Sequence, residues 1–171
     1  KTAYEIPKRD WSSDVCSSDL GRHHLYLSLR DERGRARIGR TELTLDPPRL
    51  QPLDAEPVLD LGALGAFDDS GVVTASLVTR GDHRYLFYTG WSLGVTVPFY
   101  LMTGVAIGRG SGPFERLSPA PLLDRSATDP FLNASPFVSI EKGRWRMWYV
   151  SGSDWRTTPA GPQHRYNIRY A

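Results

Sequence analysis

The residues best suited to chemistry are three aspartates, each placed near the start of a predicted strand. Asp68 and Asp69 come just before the apolar run at 72–78, and Asp129 comes just before 134–141. A carboxylate can act as nucleophile, as base on water or, when protonated, as acid. Asp69 is the candidate nucleophile or base. Asp129 is the candidate second carboxylate, which orients groups or stabilises a transition state, and Asp68 alternates away and is expected to brace the turn.

The element that positions the first two aspartates is a predicted hairpin over residues 65–91. Gly65, Ser70 and Gly71 disfavour a helix, and the β-branched run that follows predicts a strand. The sequence Arg80-Gly81-Asp82-His83 predicts the turn, and the aromatic run at 85–89 predicts the return strand. Turn aspartates often only cap a strand, so this structural reading stays open beside the chemical one.

A repeat extends this hairpin to the whole chain. The segments HLYLSLR, YLFYTGW and RMWYVSG begin at residues 24, 85 and 146, a spacing of 61 residues each time. Such a period is typical of repeated units such as propeller blades. We therefore predict an all-β chain, a β-propeller of four-stranded antiparallel blades, with about two and a half blades over residues 21–171. The first unit lacks an inner strand and the last lacks an outer one, so we expect further blades in a longer protein.

Blade geometry brings the candidate residues to one face. The inner strand of a blade starts where the second strand ends, so the segments before 72 and 134 share a face with the loops after the second strands. The stretches 92–100 and 153–165 are predicted to be loops longer than a hairpin needs, which is typical of functional loops. The candidate substrate-binding residues on this face are Asp68, Arg30, Asp31, Trp91, Tyr100, Trp155 and His164.

Converging carboxylates beside aromatic platforms are the chemistry of glycoside hydrolysis. The segments FDDSGV, YLFYTGW, PFERLSPAPLLDRSATDPFLNASPFV and WRMWYVSG resemble the five-bladed β-propeller glycosidases, the group of arabinanases, β-xylosidases, invertases and levansucrases. The resemblance covers nearly all of residues 21–171. It implies that Asp69 and Asp129 hold the first two catalytic positions, and that a glutamate acid follows in a third blade. Glu141, at a hairpin turn, and Glu115, on an outer strand, do not match that acid. Either the acid lies beyond Ala171 or this chain departs from the family's catalytic pattern. The chain alone is therefore expected to be inactive.

The same resemblance implies no organic cofactor and is compatible with a calcium ion on the propeller axis. A non-catalytic propeller that binds a glycan or another protein through the same face is the alternative function. An Asp69→Asn change distinguishes the two readings, because it abolishes turnover only in an enzyme.

Composition excludes other classes of function. The 171 residues carry 21 basic and 19 acidic side chains, a net charge of +2, and the arginines are scattered, which argues against a nucleic-acid partner. No apolar run is long enough to span a membrane. The glycine-rich stretch 108–113 follows a strand without opening a helix and is interpreted as a loop, and the triplet at Asn133 as a chance glycosylation motif.

The first twenty residues are set apart from the rest. The pieces KTAYEI and DWSSDVCSSDL lack a hydrophobic period and resemble a translated sequencing adapter, so we interpret residues 1–20 as an artefact outside the fold. Cys16, the single cysteine, lies in this segment. The absence of cysteine from residues 21–171 slightly favours the cytoplasm and leaves the compartment open.

Overall fold

The computed structural model describes residues 14–19 and 22–171, with side chains from His23 onward. The strands are β1 (Asp14–Asp19), β2 (Arg22–Arg30), β3 (Ala36–Leu45), β4 (Pro48–Leu50), β5 (Gly71–Arg80), β6 (His83–Leu93), β7 (Phe99–Arg109), β8 (Glu115–Arg116), β9 (Asn133–Glu141), β10 (Arg144–Thr158) and β11 (Gly161–Tyr170). In the part of the chain that the structure describes, no helix is long and apolar enough to cross a membrane.

The strands form three consecutive antiparallel units of a partial β-propeller. Blade 1 is β1–β4, blade 2 is β5–β8 and blade 3 is β9–β11. Blades 1 and 2 touch edge to edge through one parallel pair, Ala36 with Gly71. The predicted all-β class and the partial propeller are therefore confirmed.

The predicted turns lie where the sequence placed them. Gly81 and Asp82 join β5 to β6, and Gly81 has a φ of 62°. Lys142 and Gly143 join β9 to β10 with φ values of 50° and 77°. Positive φ in two-residue turns matches the right-handed twist of the paired strands, which explains the tight hairpins.

Two predicted loops are wrong in their extent. The stretch predicted as a loop at 153–165 is largely hairpin, because β10 runs to Thr158 and β11 begins at Gly161. The stretch 92–100 likewise reduces to a short connection, since β6 runs to Leu93 and β7 begins at Phe99. Main-chain pairing continues well past the buried part of these strands, where alternation of apolar residues is lost and no sequence signal marks the strand.

Side chains of β6 alternate between two cores. Leu86 and Tyr88 point into the core shared with blade 1, where they pack with Tyr26 and Ile38 among others. Phe87 points the other way, into a core shared with blade 3 that includes Val105 and Val138. Through this period-two alternation β6 contributes to the cores on both faces of blade 2.

The glycine-rich stretch 108–113 is a loop, as predicted, and its carbonyl groups are occupied. The Arg84 side chain donates to the Gly112 carbonyl at 2.6 Å and to the Tyr26 hydroxyl, and the Arg40 side chain donates to the Ser111 carbonyl at 2.7 Å. A loop whose carbonyls bind arginines is suited to joining blades 1 and 2 and unsuited to cradling phosphate.

Part of the segment interpreted as an artefact is paired in the fold. The backbone of Asp14–Asp19 lies beside β2 as the inner strand of blade 1, where the sequence predicted none. An open strand edge pairs through main-chain groups whatever the side chains are. The adapter origin of residues 1–20 stays a prediction, and Cys16 lies outside the residues whose side chains are described.

Candidate functional site

Asp69 is held at the start of blade 2 by short local hydrogen bonds. The Gly65 amide donates to Oδ2 at 3.0 Å and the Ser70 hydroxyl donates to Oδ1 at 2.9 Å. The Ser70 amide also donates to the Trp91 carbonyl at 3.1 Å, which places the Asp69 turn at the end of β6. Asp69 is half-buried and each carboxylate oxygen keeps a further lone pair, so it is a fixed acceptor open to solvent.

Asp68 is a buried brace, as its alternation predicted. Its side chain is 0% exposed, and its Oδ2 accepts from the Tyr88 hydroxyl at 3.0 Å and from Arg116 Nε at 2.8 Å. Burial, together with the charge of Asp68, raises the pKa of Tyr88. A carboxylate enclosed by these partners is placed to stabilise blade 2. A role for Asp68 in substrate binding is supported by its position in the sequence only.

Two glycines make room for this brace. A Cβ at Gly90 would lie 2.6 Å from the Asp68 Cβ and 2.4 Å from the Phe67 ring. A Cβ at Gly104 would lie 2.3 Å from the Tyr88 ring. The close approach requires glycine at both positions, which explains the glycine in the repeated YLFYTGW segment.

Asp129 occupies the corresponding place before blade 3. Its Oδ2 accepts from the Tyr149 hydroxyl at 3.2 Å and from the Thr128 hydroxyl at 3.1 Å, and Arg169 Nε lies 3.6 Å from Oδ1. Burial alone raises the pKa of Asp129, but hydrogen bonds from Ser151, Thr128 and Tyr149 and the charge of Arg169 lower it below its usual value. Asp129 is therefore a carboxylate that stays ionised.

The structural counterpart of Asp129 is Asp68, and not Asp69. In each blade the tyrosine that donates to the aspartate lies 20 residues further along the chain. Residue 130, at the position equivalent to Asp69, is a proline. The expected recurrence of one acidic position in consecutive blades therefore applies to the braces, while Asp69 has no carboxylate counterpart in blade 3.

The extended hairpins bring an aromatic cluster to the same end of the blades. Phe99, at the start of β7, lies 5.7 Å from Trp155 and 5.7 Å from His164, measured between ring centroids. Trp155 and His164 are cross-strand partners with centroids 5.3 Å apart, and His164 stacks on Tyr166. The predicted candidates Trp155 and His164 are thus brought together, through a hairpin where the sequence predicted a loop.

The remaining candidates are spread along this face. Trp91 is half-buried and its ring covers Gly71, where a Cβ would lie 1.8 Å from Nε1. The Arg125 guanidinium lies 5.2 Å from the centroid of the Tyr100 ring. Arg30 is exposed at the end of β2.

Asp31 is committed to the turn that follows Arg30. Its Oδ1 accepts from the Arg35 amide, and Oδ2 lies 2.9 Å from Arg37 Nη1. Burial alone raises the pKa of Asp31, but hydrogen bonds from Arg37 and from the Arg35 backbone and side chain bring it down to about 2. This carboxylate already has cationic partners, so it is more strongly tied than Asp69.

Two further features bear on the chemistry of the face. Among residues 23–171, no group of three or more His, Cys, Asp or Glu side chains is placed to hold a metal ion. A cavity of about 530 Å³ lies between blades 2 and 3, lined by Arg80, Tyr85, Val138 and Trp145 among others. Arg80 ends β5, and Tyr85 and Trp145 lie near the starts of β6 and β10, so this part of the cavity lies at the end of the blades opposite Asp69.

Sequence reasoning missed the partners of the aspartates. Tyr88, Tyr149, Arg116 and Arg169 were not predicted to have a role, although the Asp-to-Tyr spacing of 20 residues repeats with the 61-residue period. It also missed Asn133, which is buried and whose side chain accepts from the Thr103 amide at 2.8 Å and donates to the Asp124 carbonyl. A buried, bonded Asn133 is unsuited to glycosylation, in agreement with the interpretation of its triplet as a chance motif.

Solved structures of glycoside hydrolases share this fold. The chain superposes on a glycoside hydrolase with a TM-score of 0.65, 10% identity and coverage of 96% of this chain and 56% of that one. It also matches a thermostable family-43 glycoside hydrolase (TM-score 0.56, 16% identity, 94% and 50% covered) and the alpha-L-arabinanase of Cellvibrio cellulosa (TM-score 0.56, 14% identity, 94% and 60% covered). At these identities the likeness establishes the fold.

Curated relatives are nearer in sequence. The chain is 43% identical over 132 residues to the uncharacterized protein Rv1502 of Mycobacterium tuberculosis strain H37Rv, and equally to the uncharacterized protein MT1551 of strain CDC 1551. The match covers 77% of this chain and 44% of each relative, so the chain spans less than half the length of the curated relatives it matches. No protein-family model matches the chain.

Proposed function

We propose that the chain is part of a carbohydrate-active β-propeller enzyme that hydrolyses or transfers a glycosyl unit at the face carrying Asp69. The observation that carries the proposal is the placement of a solvent-open carboxylate, Asp69, on the same face as the ionised Asp129 and the aromatic cluster of the extended hairpins. The glycoside hydrolase fold of the structural neighbours supports it.

In this proposal Asp69 acts on the reacting centre. As nucleophile it forms a bond to the anomeric carbon, and as base it takes the proton of the water that attacks that carbon; in both cases the bond to the leaving oxygen breaks and that oxygen is protonated by an acid. Asp129 orients neighbouring groups and holds a negative charge near the site. Aromatic rings such as Trp155 provide apolar surfaces on which a sugar ring can pack.

The acid of this scheme is not assigned to a described residue. Glu141, at the end of β9, binds Arg146 at the opposite end of blade 3. Glu115 is exposed on the outer strand β8. Neither lies on the Asp69 face, and we propose that the acid belongs to another part of the longer protein.

We also propose that a further blade covers the outer face of blade 3. In blade 2, Phe87 and its row neighbour Val105 are buried by blade 3. In blade 3 the equivalent row of cross-strand partners is Phe137, Trp148 and Tyr170, with Phe137 58% exposed. An apolar row of this kind is expected to need a cover, and the relatives are more than twice as long as the matched region.

The cover is tested with the chain as printed. If a further blade is missing, the chain should self-associate and unfold without a sharp transition. A soluble monomer with a sharp, cooperative melt would contradict the proposed further blade.

The enzymatic reading is tested by turnover. The longer natural protein is incubated with arabinan, xylan, sucrose, levan and aryl arabinosides and xylosides, alongside its Asp69→Asn and Asp82→Asn variants. Asp82 is an exposed turn carboxylate at the opposite end of blade 2, so its change is the matched control. We expect Asp69→Asn to abolish turnover and to leave binding intact. We expect Asp82→Asn to leave both turnover and binding unchanged.

The alternative is a non-catalytic module that binds a glycan or a protein. The aromatic cluster of Phe99, Trp155 and His164 favours this reading, because it supplies contact surface without needing an acid. Binding of an oligosaccharide in the absence of turnover by the wild-type protein would select the module over the enzyme.

A further inference from the structure

The molecule contains two copies of one side-chain constellation. In blade 2, Asp68 is joined to Tyr88 of β6 and to Arg116 of β8. In blade 3, Asp129 is joined to Tyr149 of β10 and paired with Arg169 of β11. In both blades the aspartate precedes the inner strand, the tyrosine comes from the second strand and the arginine comes from a more outward strand.

A shared backbone irregularity accompanies the two constellations. The register of β5 against β6 shifts between Thr74 and Ser76, next to the partner of Tyr88. The register of β9 against β10 shifts between the partners of Trp148 and Val150, which flank Tyr149. A β-bulge changes the direction of the side chains near it. In both blades the bulge lies beside or opposite the tyrosine that donates to the aspartate.

The copies differ in how far they are closed to solvent. Arg116 Nε donates to the fully buried Asp68 at 2.8 Å. Arg169 Nε lies 3.6 Å from Asp129, the Arg169 side chain is 40% exposed, and the Asp129 side chain is 10% exposed. Blade 3 therefore carries the same constellation in a looser form, with its arginine on the solvent side.

We infer that Tyr149 and Arg169 are positioning residues of the proposed site, which fix the carboxylate of Asp129 and keep it ionised, so that Asp129 supplies a charge and Asp69 makes and breaks the bonds. This inference rests on the proposed function. Without that function, the same contacts would be a second structural brace.

The donors around Asp129 support this assignment. Oδ2 accepts from Tyr149 and Thr128, and Ser126 Oγ lies at 3.4 Å. Hydroxyl donors favour the charged form, since an ionised carboxylate only accepts. Hydrogen bonds from Ser151, Thr128 and Tyr149 and the charge of Arg169 hold the pKa of Asp129 below its usual value, against the effect of burial. Among these groups the titratable or charged ones are Tyr149 from β10 and Arg169 from β11.

The first experiment follows the titration of Asp129 by carboxyl NMR in the longer natural protein, with Asp129→Asn used to assign the signal. We expect Tyr149→Phe and Arg169→Met each to raise the titration midpoint, and Arg169→Lys to restore part of it. Tyr88→Phe, the matched change in blade 2, should leave that midpoint unchanged while lowering the melting temperature. Arg169 lies on an exposed strand, so its variants test the inference even if Tyr149→Phe fails to fold.

The second readout is kinetic, on whichever glycoside the protein turns over. Tyr149→Phe should lower kcat more than it changes KM and should move the acid limb of the kcat profile to higher pH, whereas Tyr88→Phe should leave the limb in place. Unchanged Asp129 titration in both Tyr149→Phe and Arg169→Met would overturn the inference. If the titration midpoint of Asp129 rises in both variants as expected but the wild-type protein turns over no glycoside, the proposed function is refuted. Tyr149 and Arg169 would then form only a structural brace.

Discussion

Blades 2 and 3 both join an aspartate to a tyrosine 20 residues further along the chain and to an arginine from a more outward strand, with different exposure to solvent. Asp68 is sealed between Tyr88 and Arg116, whereas Asp129 has a looser pair with Arg169 at the surface. A sealed carboxylate contributes to stability and is unavailable to a ligand. In the proposed function, exposure to solvent, more than residue type or position in the repeat, separates the structural Asp68 from Asp129, which serves the site.

The outer faces of the two blades differ in the same way. Phe87 of blade 2 is 5% exposed because β9 covers it, and the Ser76 hydroxyl beside it donates to the Pro136 carbonyl of β9 at 2.8 Å. Phe137 of blade 3 has no such cover among the described residues. Equivalent rows are thus a blade interface in one case and an open surface in the other.

The largest expected effect on stability comes from a mutation in the covered row of blade 2. Phe87→Ala should lower the free energy of unfolding by about 3–5 kcal/mol, because it removes a buried ring and leaves a cavity between blades 2 and 3. Phe137→Ala, in the equivalent row on the open surface of blade 3, should cost about 0.5 kcal/mol or less, because Phe137 is 58% exposed. Urea unfolding of both variants measures the difference, and equal losses would show that the two rows are not distinguished by burial.

The next effect separates the two arginines. Arg116→Met should lower the free energy of unfolding by about 3 kcal/mol, since it leaves the buried charge of Asp68 without its cation. Arg169→Met should cost less than about 1 kcal/mol, because the Arg169 side chain is 40% exposed, its Nε lies 3.6 Å from Asp129, and solvent screens its charge. Denaturant melts at low and high salt provide the test. A loss for Arg169→Met as large as that for Arg116→Met would contradict the distinction.

A smaller effect is expected from the two tyrosines. Tyr88→Phe should lower the free energy of unfolding by about 1–2 kcal/mol, because a buried hydrogen bond to a charged group is lost. Tyr149→Phe should cost less, since Asp129 keeps its hydroxyl donors Thr128 and Ser126. Thermal melts of the two variants at one pH rank them, and the reverse order would weaken the comparison.

The smallest effect concerns acid pH and compares Asp129 with Asp31. The pKa of Asp31 is about 2 in the folded chain, below its ordinary value, so its stabilisation is complete above about pH 4 and is lost as the pH falls towards 2. The pKa of Asp129 is lowered too, and its contribution is lost in the same direction. Melting temperatures between pH 6 and pH 2 should fall less steeply in Asp31→Asn, and to a smaller extent in Asp129→Asn, than in the wild type; equal slopes would contradict this assignment.

Much of the fold could be predicted from the sequence because it rests on local signals. Alternation along residues 85–91, the turns at Gly81 and Gly143 and the 61-residue period identify the strands and their order. The extent of β10 could not be predicted, since its outer half carries exposed residues whose pairing is made by the main chain. The ion pair that encloses Asp68 could not be predicted either, because its partner Arg116 lies 48 residues away in the sequence.

Blade geometry predicts a common face for the candidate residues, and it does not predict their internal arrangement. The structure brings Trp155 and His164 together as cross-strand partners of β10 and β11. The equivalence of Asp129 with Asp68 required the hydrogen bonds of Tyr88 and Tyr149, because the adjacent aspartates at 68 and 69 offer two alignments that the sequence does not separate.

Binding of carbohydrate at the Asp69 face is tested by mapping a bound sugar. Amide NMR spectra of the longer natural protein are recorded during titration with an arabino-oligosaccharide, a xylo-oligosaccharide and a fructo-oligosaccharide in turn. We expect the shifts for at least one of them to concentrate at Asp69, Trp91, Asp129 and Trp155. Shifts concentrated instead around Tyr85 and Trp145, at the cavity on the opposite end, would contradict this expectation, as would the absence of saturable shifts with all three.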